Sequence, residues 1–393
     1  MRLFLLFITV SLFLIVSACN QQMKEIQDIE IQEILVDISS TRTLKMSQLF
    51  DTCYIVPLDN RELIGSVDEV DFDKDHLLIL DKKKMLKAYL YNWEGNFIKF
   101  LGDEGDGPGE FKWPRDAQLI DYNEAVVYSA GTSKLLLVDQ NSGKTKDVFL
   151  DSIPMLSDFK FFSNNYYLLR ENKSLKNASL LIADKGFQDF KEIVIPDKFL
   201  SKDIAIQYRS TKFDFIYPKL SGNGFYFSDV VSPYFLEYRH DSLYQTYHIK
   251  FSDREVSYED IVGGTDRSLH KIASRENLFY FNNDLFEAGE YIFLFLGEGN
   301  VVRTAVYDKR SGKSILVDAV EDDLTGLFTA NAIDGNSQSG YNVIVRDAAW
   351  IKEMLGNSEK ENPYLDLLRK AGIKHDDNPI LFIFRFKEDF DLD

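Results

Sequence analysis

The chain has few residues that could stabilise it covalently or stiffen its backbone, with two cysteines and nine prolines among 393 residues. One cysteine, Cys19, closes an N-terminal hydrophobic run, which leaves Cys53 without a partner in the chain. A disulfide framework is therefore excluded, and the strand-like stretch CYIVPL predicts that Cys53 is a small core residue. The fold must depend on buried apolar surface, which 45% hydrophobic and 14% aromatic residues can supply.

Basic residues are scarce relative to acidic ones. The chain has 45 Lys and Arg against 63 Asp and Glu, a formal net charge of -18 at pH 7. A surface of this sign repels nucleic-acid phosphates and anionic lipid headgroups. We therefore expect no nucleic-acid partner, and contact with a membrane only through a covalent anchor.

A long hydrophobic run occurs at the start of the chain. Residues 1–18 contain Arg2 and then an unbroken apolar or small run from Leu3 to Ala18. A membrane span needs about twenty apolar residues, so this shorter run predicts a cleaved secretory signal. Its end, VSAC, resembles the bacterial lipobox, in which the cysteine is acylated and becomes the mature N-terminus. We predict lipidation at Cys19; an ordinary signal with an incidental cysteine is the alternative.

The remaining chain divides into a tail and one large domain. Residues 19–40 are polar and acidic at first, which predicts a tether that lifts the domain off the membrane. From Leu49 onward, short β-branched and aromatic runs alternate with turn residues, a pattern typical of an all-β domain. We assign residues 41–393 to this domain.

Four-strand units repeat along the domain. Residues 67–102 contain VDEVDF, HLLILD, LKAYLYN and FIKFLG, and residues 117–150 repeat the arrangement as AQLID, EAVVYS, KLLLVD and KDVFL. A looser third unit begins FKFFS, and two later units begin FDFIYP and NDLFEA. Four-stranded units of about 40 to 50 residues indicate propeller blades rather than solenoid turns.

The glycine-rich stretch GDEGDGPGEF, residues 102–111, lies between the first two units. Its carboxylates would repel a phosphate and no lysine follows at the P-loop position, so we predict a crossing between blades. Phe111 is placed to wedge into the next blade. The alternative is a calcium site formed by Asp103, Glu104, Asp106 and Glu110, set against ordinary solvated loop charges.

The run FIKFLGDEGDGPGEFKWPRDAQLID resembles NHL-type propeller repeats, and most closely the six-bladed β-propeller lipoproteins of Bacteroidetes. The segments MSQLFDTCYIVPLDNRELIGSVDEV and DDNPILFIFRFKE resemble the family's opening and closing segments. The resemblance implies a six-bladed β-propeller of four-stranded antiparallel blades on an outer-membrane lipoprotein. It also implies that CYIVPL completes the sheet of the last segment, PILFIFRF, which closes the ring without exposed edges.

One helical insertion is expected before the last strand. The stretch EKENPYLDLLRKAG predicts a short helix with Leu365, Leu367 and Leu368 on or near one face, ending at Gly372. We expect it to pack on the propeller rim.

Local catalytic motifs are absent from the sequence. No HExxH, GxSxG or CxxC pattern occurs, so we assign no catalytic, metal or cofactor-binding residue. The stretch DFDKDH begins like a calcium loop, but His76 and Lys82 stand where that loop needs Gly and Glu, which indicates a hairpin turn. We therefore expect no cofactor, with calcium as an alternative.

Three classes of function remain open. The first is a non-enzymatic binding module for a glycan, peptide or protein at the cell envelope. The second is a propeller hydrolase or lyase with an axial site, possible because such sites are assembled from different blades and leave no contiguous motif. The third is a structural subunit of an envelope complex. Carboxylates and histidines converging on the axis would favour the enzyme, and exposed aromatic side chains a sugar site.

Overall fold

A computed structural model describes much of the chain between residues 30 and 390. Cys19, the predicted signal and residues 19–29 of the predicted tether lie outside the described residues. Within that range the description omits residues 122, 151–155, 173–176, 188, 200–214, 221, 230–231, 241, 258–271, 300, 331–336, 339, 358–361 and 389.

The N-terminal part of the described chain forms three strands and one helical turn. These are β1 (Ile31–Val36), β2 (Thr41–Lys45), α1 (Met46–Leu49) and β3 (Phe50–Pro57). None of the three strands pairs with another of the three, because each joins a sheet made by a later part of the chain.

Blades 1, 2 and 3 are four-stranded antiparallel sheets whose strands lie side by side in chain order. They correspond to the first three repeats expected from the sequence, including the looser third one. Their strands are Glu69–Phe72, His76–Asp81, Lys87–Asn92 and Phe97–Phe100 (β4–β7); Pro114–Asp121, Glu124–Ser129, Lys134–Asp139 and Thr145–Phe149 (β10–β13); and Leu156–Phe162, Asn165–Asn172, Asn177–Asp184 and Phe190–Val194 (β14–β17).

Blades 4, 5 and 6 complete a six-bladed β-propeller, as expected. Blades 4 and 5 each contain four antiparallel strands in chain order, and blade 6 takes its fourth strand from β3. The strands are Ile216–Pro218, Gly224–Phe227, Tyr234–Arg239 and Ser242–Phe251 (β18–β21); Phe279–Ala288, Tyr291–Glu298, Val301–Asp308 and Lys313–Glu321 (β22–β25); Thr329–Ala330 (β26), which pairs with β25; and Ser337–Gln338, Tyr341–Arg346 and Ile380–Phe386 (β27–β29).

The ring is closed by strands from opposite ends of the chain. β3 pairs antiparallel with β29, with Cys53 opposite Phe384 and Val56 opposite Leu381. The predicted pairing of CYIVPL with PILFIFRF is therefore confirmed. Cys53 is buried, as expected for a small core residue.

The predicted tether of residues 19–40 is wrong at residues 31–36, because they form β1, which extends a blade. β1 pairs parallel with β21 at the edge of blade 4, and β2 pairs parallel with β25 in blade 5. Ile34 and Val36 are fully buried while their sequence neighbours face outward. An edge strand needs apolar residues on one side alone, so a polar and acidic segment can still form one.

Six apolar clusters fill the spaces between neighbouring blades. The cluster between blades 1 and 2 contains Leu78, Leu90, Val127 and Leu136, and Phe111 from the glycine-rich crossing is 1% exposed within it. The crossing itself has two short parallel strands, β8 (Asp103–Glu104) and β9 (Glu110–Phe111). The predicted blade crossing and the wedge position of Phe111 are both confirmed.

Two helices lie between β28 and β29. α2 (Ala348–Asn357) was not expected, whereas α3 (Pro363–Ala371) matches the predicted helix. Asn362 caps α3 by accepting from the Tyr364 backbone N–H, and Gly372 ends it in a left-handed conformation. Leu365 and Leu368 are buried against blades 5 and 6, but Leu367 faces outward. None of the described helices is long and apolar enough to span a membrane.

Phe111→Ala should lower the free energy of unfolding by about 3–5 kcal/mol, because it leaves a cavity between blades 1 and 2. Urea unfolding followed by circular dichroism measures the change. Phe190→Ala is the matched control, since Phe190 is 45% exposed on the outer strand of blade 3 and should cost less than about 1 kcal/mol. Equal losses in the two variants would contradict the wedge.

Candidate functional site

The first strands of neighbouring blades are joined by polar side chains near the axis of the ring. The Asp71 carboxylate on β4 accepts from the Leu119 backbone N–H on β10 at 2.7 Å. The Gln118 amide oxygen on β10 accepts from the Phe161 N–H on β14, also at 2.7 Å. The first strand of a blade has one edge without a neighbour in its own sheet, so these acceptors satisfy N–H groups that the sheets leave open.

The same arrangement joins blade 3 to blade 4. Asp158 on β14 accepts from the Phe215 and Ile216 backbone N–H groups at 2.7 and 3.0 Å. Lys160 lies 3.2 Å from the Asp116 carboxylate and 3.9 Å from that of Asp158, and all three side chains are buried. Their mutual pairing offsets the large desolvation penalty that each buried charge carries.

Asp71, Asp116, Gln118, Asp158 and Lys160 form the axial cluster, and the carboxyl group of Asp71 has a perturbed pKa. Burial raises its pKa to about 7, against the opposing effect of the Leu119 and Phe72 backbone N–H donors and the charge of Lys160; the Asp116 charge raises it further. Near neutral pH the group therefore exists in both protonation states, which is unusual for an aspartate.

An irregular bulge of three residues in β22 provides polar contacts between blades 4 and 5. Regular pairing with β23 is interrupted between Phe281 and Leu285, and Asn283 adopts a positive φ of 64°. The Tyr217 hydroxyl donates to the Asn283 carbonyl at 3.0 Å and to the Asp284 carboxylate at 2.8 Å. Bulges often re-aim side chains, and this one turns Asp284 toward the neighbouring blade.

A buried ionic network also connects blades 4 and 5. Lys219 lies 2.5 Å from Glu237 and 3.9 Å from Glu287, and the Tyr247 hydroxyl donates to Glu237 at 3.0 Å. Although burial opposes ionisation, hydrogen bonds from Lys219 and Arg239 hold the pKa of Glu237 below its ordinary value. These charges act between blades rather than in an open cleft.

The described residues contain no group of three or more His, Cys, Asp or Glu side chains arranged to hold a metal ion. In the glycine-rich crossing, Glu110 accepts from the Gly107 backbone N–H at 2.8 Å, and Asp106 pairs with Lys112 at 3.1 Å. At the other candidate loop, Asp73 accepts from the Asp75 and His76 N–H groups, as in the hairpin turn expected from the sequence.

Two exposed aromatic residues lie at the same end of blade 2. Trp113 and Phe149 each leave 62% of their surface exposed. The loop of residues 130–133, between β11 and β12, lies between them: the Ala130 N–H donates to the Trp113 carbonyl at 3.2 Å, and Ser133 accepts from the N–H of Leu150, next to Phe149. We call Trp113, Phe149 and residues 130–133 the blade 2 platform.

The backbone of Trp113 is held in a strained conformation. Its φ is +52°, a region that a bulky residue rarely adopts and that costs about 1–2 kcal/mol. The preceding residue is fixed as well, because the Lys112 N–H donates to the Ser129 hydroxyl and the Lys112 carbonyl accepts from Gly131. An exposed side chain on a strained and firmly held backbone is a candidate for a binding contact.

Neither the axial contacts nor the platform was anticipated from the sequence. Cys19, the predicted lipidation site, lies outside the described residues. Cys53 is described, and burial raises the pKa of its thiol above the ordinary value. The stretch KWP contained a usable signal for the platform, because a tryptophan before Pro114 follows the crossing and precedes a first strand. The sequence NND, residues 282–284, forms the bulge in β22.

These features define a six-bladed β-propeller with polar contacts between the first strands of its blades. Residues 29–385 match DUF4934, a domain of unknown function, and the chain belongs to that family. A crystal structure from Bacteroides fragilis, of a protein described as exported, is similar with a TM-score of 0.63 and 16% identity over 91% of this chain and all of that one.

Other similarities are weaker. A catalytically inactive virginiamycin B lyase from Staphylococcus aureus, solved with quinupristin, has a TM-score of 0.42 and 10% identity over 67% of this chain and 74% of that chain. This similarity is too low to support a functional argument. No curated protein matches the sequence.

Asp71→Asn should change how stability depends on pH. In the native protein the Asp71 pKa is raised, so the folded state holds a proton that the unfolded state releases between about pH 4 and 7, and stability falls as the pH rises through that interval. Urea unfolding at pH 4.5, 6 and 8 should show the wild type losing about 3 kcal/mol relative to the variant between the lowest and the highest pH.

Asp75→Asn is the control for this experiment. Asp75 is an exposed turn residue, and its variant should follow the wild-type profile. Parallel profiles for wild type and Asp71→Asn would contradict the buried, partly protonated state of Asp71.

Proposed function

We propose that this protein is an exported, lipid-anchored and non-enzymatic binding module, which holds a glycan, peptide or protein ligand on the blade 2 platform. Three features support export and anchoring: the signal-like residues 1–18, the lipobox-like VSAC ending at Cys19, and the similarity to a Bacteroides fragilis protein described as exported. We place it at the outer membrane, facing either the periplasm or the outside.

The observation that carries the binding proposal is the contrast between the axis and the platform. Near the axis, Asp71, Gln118 and Asp158 use their acceptor oxygens to hold the backbone of the next blade. On the platform, Trp113 is exposed although its strained backbone is fixed by neighbouring hydrogen bonds. Polar groups that hold the ring together are poorly placed to change partners during a reaction, whereas the indole is free to receive a ligand.

The anchor is compatible with access to that surface. The described chain enters the ring at β1, on the outer edge of blade 4. Residues 19–29 could span at most about 40 Å when fully extended. An anchor attached at the rim would leave the platform in blade 2 open to ligands.

A hydrolase or lyase with an axial site is the second candidate, and the Asp71 carboxyl group favours it. A group with a pKa of about 7 can give and take a proton near neutral pH, as a general acid or base must. Its two backbone N–H partners argue for the structural role instead.

Site-specific photo-crosslinking tests the proposed binding surface. A benzophenone amino acid replaces Ala130 on the platform in the full-length protein, in cells that produce it. We expect a ligand adduct after irradiation. The matched control carries the same amino acid at Ser142, an exposed turn residue on the β12–β13 hairpin, at the other end of β12, and should give no adduct.

The outcomes separate the alternatives. Absence of an adduct at Ala130, or equal adducts at both positions, would contradict binding at the platform. A ligand that is returned unchanged in mass after incubation with the protein supports a binding module, and a shortened ligand supports the enzyme. In the same cells, an alkyne-tagged fatty acid should label the wild type but not Cys19→Ser; an unlabelled wild type, or equal labelling of the two, would contradict the anchor.

A further inference from the structure

We propose that the ligand of the blade 2 platform is a neutral carbohydrate chain, an inference that rests on the proposed function. The face of an aromatic ring carries a partial negative potential, and the C–H groups on one face of a sugar ring pack against it. The platform offers two such rings separated by a loop of small residues.

Both rings are displayed rather than buried. Trp113 and Phe149 are more exposed than the other exposed aromatic side chains in the described part of the chain, of which Tyr244 is next at 53%. The Phe149 ring also makes a cation–π contact, because the Lys134 ammonium lies 5.9 Å from its centroid. Lys134 is itself fixed by the Gly107 carbonyl and Asp147, both at 2.9 Å.

The floor and border of the platform suit a ligand that is rich in hydroxyl groups. Ala130, Gly131 and Ser133 are exposed and small, which lets a chain approach the backbone between the rings. The Lys112–Asp106 ion pair borders the platform with one donor and one acceptor group. Sugar hydroxyls both donate and accept hydrogen bonds, so they can donate to Asp106 and accept from Lys112.

Charge and size argue against the other occupants. A net charge of -18 disfavours nucleic acids and acidic polysaccharides. A stable protein interface buries about 800 Å² on each partner around a central apolar cluster, and the platform supplies two large apolar side chains. A short stretch of a neutral glycan fits a surface of this extent.

The test titrates the full-length protein in detergent with neutral hexasaccharides built from glucose, galactose, mannose or xylose, by calorimetry and tryptophan fluorescence. We expect saturable binding of at least one of them. Trp113→Ala should weaken that binding at least tenfold and Phe149→Ala about fivefold, while Trp113→Phe keeps it within about threefold. Phe190→Ala, which removes an exposed phenylalanine at the start of the last strand of blade 3, should bind as the wild type does.

Trp113→Gly separates the loss of the ring from the relief of strain. Glycine accepts a φ of +52°, so this variant should resist urea better than Trp113→Ala while binding the hexasaccharide equally poorly. Recovery of binding in Trp113→Gly would show that the backbone, rather than the indole, determines affinity, and would overturn the stacking contact.

Two further results would overturn the carbohydrate assignment. One is the absence of binding to every hexasaccharide at 1 mM, and the other is unchanged binding in a Trp113→Ala, Phe149→Ala double variant. The crosslinked adduct distinguishes this failure from failure of the proposed function. A periodate-sensitive adduct at Ala130 supports the glycan, whereas a protease-sensitive, periodate-resistant one keeps the binding module and rejects the glycan.

Discussion

The first strand of each blade has an inner edge whose backbone N–H groups lack partners in its own sheet, and in blades 2, 3 and 4 side chains of the preceding blade accept hydrogen bonds from them. Asp71 accepts a hydrogen bond from the Leu119 N–H in blade 2, and Gln118 accepts one from the Phe161 N–H in blade 3. Asp158 accepts one from the Phe215 N–H, next to blade 4. A hydrogen bond to a charged group contributes about 1.5–3 kcal/mol, and losing a buried partner costs a similar amount. These contacts therefore fix both the spacing of the blades and the chemistry left available at the axis.

At the outer edges of three blades, strands from the N-terminal part of the chain provide the backbone pairing. β3 closes blade 6, and β1 and β2 extend blades 4 and 5 in parallel. Because Cys53 is buried and makes no disulfide, burial between blades supplies the cohesion that disulfides provide in some other domains. Among the described residues, the two most exposed aromatic side chains, Trp113 and Phe149, lie at one end of blade 2.

Elements encoded by local sequence could be predicted. Four-strand repeats, the crossing with Phe111 and the stop of α3 at Gly372 all depend on patterns within a few residues. The axial contacts could not, because Asp71 and Leu119 are 48 residues apart and Asp158 and Phe215 are 57 apart. For Trp113 the sequence offers only its place before Pro114, since its exposure depends on its own φ and on hydrogen bonds from the loop of residues 130–133.

Site-resolved hydrogen exchange on the full-length protein tests most directly whether axial side chains hold the blades together. We expect slow exchange at the Leu119, Phe161 and Phe215 amides in the wild type. In Asp158→Ala, exchange at Phe215 and Ile216 should accelerate at least tenfold while Leu119 stays protected by Asp71. Wild-type exchange at these amides as fast as in an unfolded peptide would contradict the structural role of the axial cluster, and would reopen the axis as the functional site.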